Sequence, residues 1–300
     1  MYSQIASNKR RSVIYALGFV VLVGVFGYVL SASLGRPSYF YPILIFAIAY
    51  ALFSYFGSAK LAIMTSGAKE IAKADAPELY RIVENLSITA GLPMPKVYII
   101  DDPSPNAFAT GRDPQHAVVA VTTGILQVLE KNELEGVLAH ELSHVGNYDI
   151  RFMAVIIALV AVISLLADLF LRLTFWGGIG GDDEEGGMNP VMLALGIAGA
   201  ILAPIAAAML QMAISRRREF LADASGALLT RYPEGLATAL EKIEADPRGL
   251  QQASSATAPL YFSNPLKGRK GFAQSISNMF STHPPTSERV KRLREMESSQ

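Results

Sequence analysis

VLAHELSHVGNYDIRFMAVIIALV, residues 137–160, is the stretch that decides the fold. His140 and His144 stand four apart with Glu141 beside the first, and from Phe152 to Ala167 the chain carries no charge. On a helix, positions i and i+4 project from one face about one turn apart, so the two imidazoles reach a common point. Ionisable chemistry therefore sits at the edge of an apolar run long enough to enter a bilayer.

The remaining sequence supports a membrane setting. Of the 300 residues, 51% are hydrophobic and 17% charged, and the mean hydropathy is +0.31, too apolar for an ordinary soluble domain. Four helical spans are expected, at residues 13–30, 39–56, 152–176 and 191–214, with Pro204 kinking the last. Lys9, Arg10 and Arg11 precede the first span and Lys60, Lys69 and Lys73 follow the second. Arg151 precedes the third and Arg216, Arg217 and Arg218 follow the fourth, while the DDEE loop between those two has no basic residue. That bias puts both termini and both large polar regions on the cytoplasmic side of a multi-pass membrane protein. A cleaved leader is the rival at the N-terminus, but the apolar run is long for one and a second span follows at once.

The expected organisation is an N-terminal transmembrane hairpin over 1–57, a first polar part over 58–151, a second hairpin over 152–214 and a second polar part over 215–300. The two polar parts are small, so one α+β domain assembled around the second hairpin is expected. Strands are predicted at 96–100 and 117–122, and helices over the AKEIAKADAPELYRIVENLSITAG stretch ending at Gly91, near 124–130, 233–245 and 285–297. A helix from about residue 132 is expected to run on into the third span, and residues from 215 to continue the fourth. Cysteine is absent, so no disulfide frames the fold, and a formal net charge of zero gives no reason to expect a nucleic-acid partner.

Two imidazoles on one helix face suit a zinc ion, with Glu141 placed as the general base acting on water. A catalytic zinc needs a third protein ligand, and no further histidine follows His144 closely. Glu219, in SRRREFLADASGA, is best placed: it lies just past the fourth span as His144 lies just before the third. Both fall ~8–12 Å beyond the apolar edge at 1.5 Å rise per residue. Asp149 is the alternative ligand. Asp223, one turn beyond Glu219, is expected to accept the remaining ring N–H of one histidine. His116 is expected to be a lone surface histidine, and Asp168 with Arg172 a mutually neutralising pair.

AHELSH followed by a transmembrane hairpin and then RRREFLAD resembles the HtpX group of membrane zinc metalloproteases, related to the CAAX prenyl endopeptidases. The resemblance covers nearly the whole chain. It implies a mainly α membrane protein with four transmembrane helices and a cytoplasmic α+β zincin-like (gluzincin) protease domain. It also implies one zinc per chain held by His140, His144 and Glu219, with Glu141 as base and Asp223 behind the ligands. STHPPTSER, residues 281–289, is similar to the group's His-Pro-Pro segment, which implies that His283 and Arg289 stabilise the oxyanion. PNAFATG, residues 105–111, resembles the Asn-Ala edge strand of thermolysin-like enzymes, which implies that Asn106 and Ala107 receive substrate as an added strand. The implied activity is cleavage of misfolded membrane proteins and unfolded polypeptides at the cytoplasmic face of a bacterial or archaeal inner membrane. A CAAX-type peptidase acting on prenylated tails and a non-proteolytic adaptor with a structural zinc are the competing readings. Four spans oppose the first; an intact Glu141 and only three protein ligands oppose the second.

Overall fold

Apolar sequence at the N-terminus becomes two helices in the computed structural model, which describes residues 2–33, 36–177, 197, 201, 215–251, 258–267 and 284–298. Helix α1 is Tyr2–Ser33 and α2 is Phe40–Ser66. They meet where Gly27 lacks a side chain: a Cβ there would stand 3.5 Å from Ile43 and 3.6 Å from Phe40. Elsewhere they expose large apolar side chains, Leu17 at 63%, Val21 at 66% and Phe53 at 76%, surfaces that suit lipid rather than water. Ile5–Tyr28 within α1 and Asp149–Asp168 further on are long and apolar enough to cross a membrane; the pair Pro37–Phe53 and Tyr55–Ser66, bent by 58°, makes a third if counted as one span. The expected fourth span, 191–214, lies almost wholly outside the described residues.

Chain contacts define two compact units, one of residues 1–9, 57–154 and 213–300 and the other of 10–56 and 155–212. The first unit contains a four-stranded sheet in the order β1-β2-β4-β3, formed by β1 (Lys69–Glu70), β2 (Lys96–Ile100), β3 (Ala107–Thr110) and β4 (Val118–Thr122). β2 and β4 run parallel, with Val97 opposite Val119, while β3 returns antiparallel to β4, with Ala109 opposite Val119. β4, VVAVT, is buried at every position because both faces of the sheet are covered. Val97, Ala107, Ala109, Val119 and Val121 face one core, and Tyr98, Ile100, Phe108, Val118 and Ala120 face another, in the alternation that a strand imposes.

Helices α3 (Pro77–Ala90), α4 (Thr123–Val128), α5 (Lys131–Gly146), α7 (Arg216–Thr230), α8 (Pro233–Ala245) and α9 (Thr286–Glu297) complete this unit, and α6 (Asp149–Gly177) begins in it and extends into the other. The strand at 96–100 and the helix at 233–245 stand where the sequence puts them, and the strand expected at 117–122 starts one residue later, at Val118. Three expectations need correction. The stretch read as one helix before Gly91 starts with β1 and turns helical only at Pro77, which takes the first helical position. The helix from residue 132 does not run into the third span: Tyr148, at φ +60°, breaks it, so α5 and α6 are separate. Ser215 is extended, so α7 starts afresh at Arg216. Asp168 and Arg172 form the expected i,i+4 pair at 2.7 Å on an exposed face of α6.

Candidate metal centre

α5 carries the HELSH sequence through the middle of the first unit. Its start is fixed by a capping box: Glu130 and Glu133 exchange side-chain and backbone bonds, and Lys242 of α8 holds Glu133 at 2.8 Å. Past the first turn the helix is enclosed on most sides, which leaves His140 at 0% and Glu141 at 3% exposure. Polar side chains so deep in a core require partners, and each of these has one.

α7 packs directly on α5. Its buried stripe is Glu219, Ala222, Asp223, Gly226 and Ala227, the spacing of one helix face. Gly226 makes the approach possible, because a Cβ at that position would lie 2.9 Å from the backbone nitrogen of His140. The small residues thereby set the depth of the acids one and two turns earlier. Glu219 Oε2 stands 3.7 Å from His140 Nε2, and Glu219 Oε1 stands 3.7 Å from His144 Nε2. The two Nε2 atoms are 3.1 Å apart. One ligand atom from each of the three residues falls within 4.8 Å of the others. Ligands at ~2.0–2.1 Å from a tetrahedral ion stand about 3.3–3.4 Å apart, so the donor set fits a divalent metal with two imidazoles and one carboxylate.

Each imidazole turns its other nitrogen to a carboxylate. His140 Nδ1 meets Asp223 Oδ1 at 2.9 Å, and His144 Nδ1 meets Asp149 Oδ2 at 3.0 Å. Asp223 is clamped by the buried guanidinium of Arg289, through Nε at 2.8 Å and Nη2 at 2.6 Å. Burial lowers the His140 imidazole to about 4, against the opposing pull of Asp223. Burial acts the same way on His144, but the Asp149 hydrogen bond with the Glu219 and Asp149 charges overcomes it and raises that ring to about 9. Burial would raise Asp223, yet Arg289 and His140 hold it down at about 2. The Phe262 ring closes the site edge-on to His140, with centroids 5.2 Å apart.

Glu141 accepts a hydrogen bond from the Ala109 backbone N–H of β3, 2.7 Å from its Oε2. A carboxylate is thus held against β3, the last strand of the sheet. The outer edge of β3 nearer its start is occupied by the chain itself. Phe262 N–H donates to Ala107 O at 2.8 Å, Phe108 bridges to Tyr261, and Asn106 bonds Ser263 both ways, through Nδ2 at 3.0 Å and Oδ1 at 3.1 Å. Asn106 and Ala107 therefore do not offer substrate an open edge, because residues 261–263 already fill it. Arg289 also differs from expectation: it lies against Asp223 and the Nδ1 side of His140, not on the Nε2 side where the ligands converge. Asp149 meets His144 Nδ1 and is not one of the three residues whose ligand atoms converge. His283 lies outside the described residues, and His116, expected to stand alone, pairs with Asp113 at 2.6 Å and is not in the group of converging donors.

Two imidazoles and a carboxylate around one point, with a second glutamate beside them, define a metallopeptidase centre of the HExxH class. Comparison with known proteins specifies it. The family model described as peptidase family M48 matches residues 73–297. A "Protease HtpX homolog" from Tropheryma whipplei is 50% identical over 296 residues, covering 99% of this chain and 98% of the relative. Proteins of the same name from Ligilactobacillus salivarius and Listeria monocytogenes are 46% and 42% identical, each covering 99% of this chain and 100% of the relative. The crystal structure of S. mikatae Ste24p is similar in fold, with a TM-score of 0.55 at 18% identity, over 98% of this chain and 67% of that one. The chain belongs to peptidase family M48 and is a membrane metalloprotease of the HtpX type.

Proposed function

We propose that His140, His144 and Glu219 hold one zinc ion per chain, and that the site cleaves misfolded membrane proteins and unfolded polypeptides at the cytoplasmic face. The convergence of the three donors beside the Glu141 carboxylate carries this reading. The metal, when bound, polarises a peptide carbonyl and makes water nucleophilic near neutral pH. Glu141 takes the proton of the attacking water and returns it to the leaving amine. Asp223 and Asp149 each accept a ring N–H, which fixes the tautomer that turns an Nε2 lone pair to the metal. Arg289 positions Asp223 instead of touching the substrate. His283, next to Pro284, is assigned as the donor to the oxyanion.

Four membrane crossings, with both termini and the metal centre in the cytoplasm, complete the proposal. Lys9, Arg10, Arg11, Arg216, Arg217 and Arg218 support that orientation. Proximity to the bilayer then selects substrates that are themselves membrane-bound. The decisive variant is Glu141→Gln in detergent-purified protein incubated with an unfolded membrane protein. It keeps stoichiometric zinc and loses cleavage by about 10²–10⁴-fold. Cleavage at the wild-type rate would remove Glu141 from the mechanism.

A further inference from the structure

Asp149, which orients His144, opens α6 immediately after Tyr148, whose φ of +60° is a conformation that non-glycine residues seldom adopt. The position of its carboxylate therefore depends on what holds this corner. The holder comes from the opposite end of the sequence. Asn8, in the first turns of α1, is 2% exposed and reaches across the corner. Its Nδ2 donates to Asn147 O at 2.9 Å and to Asp149 Oδ1 at 2.7 Å, so a single amide binds both residues that flank Tyr148. Lys9 adds its ammonium 4.2 Å above the centroid of the Tyr148 ring.

Asp149 divides its oxygens between two tasks. Oδ1 accepts from Asn8, and Oδ2 faces His144 Nδ1 at 3.0 Å. Arg218 Nε stands 3.7 Å from Oδ1, beyond hydrogen-bond reach. Arg218 therefore adds charge attraction, while the shorter, directional bond from Asn8 fixes the rotation of the carboxylate that aims the ring.

We infer that Asn8 is a positioning residue for the metal site, acting through Asp149 on His144, so that the cytoplasmic end of the first membrane helix is a working part of the protease centre. The neutral amide suits the role: it supplies two N–H donors without adding a charge beside Asp149. An aspartate in its place would set two carboxylates against each other. The inference rests on the metal site proposed above.

Full-length Asn8→Ala in detergent, loaded with zinc or with cobalt, separates the possibilities. Partners behind a metal ligand change affinity by about 10–100-fold when removed, and Asn8 acts one bond further out, so a loss of about tenfold in zinc affinity is expected by chelator competition. The visible absorption of the cobalt form should shift, reporting altered ligand geometry. Lys9→Gln, which removes only the contact with the Tyr148 ring, should stay within about twofold of wild type. Should Asn8→Ala not accumulate in the membrane, Asn8→Gln moves the amide out by one methylene, and the same loss and shift are expected of it. Unchanged zinc affinity with an unchanged cobalt spectrum, or equal losses in the Asn8 and Lys9 variants, would overturn the inference. Wild-type protein that takes up no stoichiometric metal would instead remove the site on which it rests.

Discussion

His140 and His144 sit one helical turn apart and aim at the same point, but the chain supports them by opposite means. Behind His140 is Asp223, locked by both arms of Arg289, all three with side-chain exposures of 5% or less. Behind His144 is Asp149, held by a neutral amide from the N-terminus with the Arg218 guanidinium 3.7 Å from the same oxygen, and the ring itself keeps 15% of its side-chain surface exposed. The first support is an ion pair, where removal of one partner strands a buried charge. The second can lose its outermost member without leaving a charge unpaired. One ring is thus built into the core of the protease unit, while the other is aimed by an adjustable corner.

Asp223→Ala tests the rigid side hardest. It leaves Arg289 buried without its partner, at an expected cost of about 3–5 kcal/mol to the fold, read by thermal unfolding of the metal-free chain. Gly226→Ala comes next. Its new Cβ meets the His140 backbone, so α7 must retreat with Glu219 and Asp223, at about 1–3 kcal/mol and with weaker zinc binding. If zinc affinity and melting temperature are unchanged in this variant, close packing of α5 and α7 does not set the ligand positions.

Acid probes the same ion pair without mutation. Asp223 titrates at about 2 in the folded chain against 3.8 as its ordinary value. Because the folded value is the lower one, its contribution is present above about pH 4 and is lost as pH falls through about 2, amounting to about 2 kcal/mol. Metal-free protein should show this loss in stability across that window, and Asp223→Asn should flatten it. Asp149→Asn, on the adjustable side, is the mildest change. It should weaken zinc about tenfold and, because it removes only the 3.7 Å contact with Arg218, lower the melting temperature of the metal-free chain less than Asp223→Ala does. Equal stability losses for Asp149→Asn and Asp223→Ala would erase the contrast between the two supports.

Local periodicity made much of this legible beforehand. Two histidines four apart, an acidic pair four apart in α7 and uniformly apolar runs each report what one helix face carries, so the cluster of His140, His144 and Glu219 and the described apolar helices are legible from spacing. The breaks were harder. Nothing in GNYD announces a left-handed tyrosine, since asparagine or glycine ordinarily takes that conformation, and the helix therefore looked continuous. In the sequence Asp149 reads only as an alternative ligand, because its contact with His144 Nδ1 depends on that corner. Asn8 lies 141 residues from Asp149, a separation over which sequence pattern carries no signal. The covering of β3 by Tyr261–Ser263 was hidden for the same reason, and so the Asn106 edge looked open. The resemblance to edge-strand enzymes located the strand correctly but not what lies along it.

X-ray absorption at the zinc edge of the purified full-length chain tests the metal centre most directly. The spectrum should show nitrogen and oxygen neighbours at ~2.0–2.1 Å with outer-shell scattering from two imidazoles, and Glu219→Ala should lose the metal or change its first coordination shell. Scattering from a single imidazole in the wild type, or a spectrum that Glu219→Ala leaves untouched, would contradict the assignment of His140, His144 and Glu219.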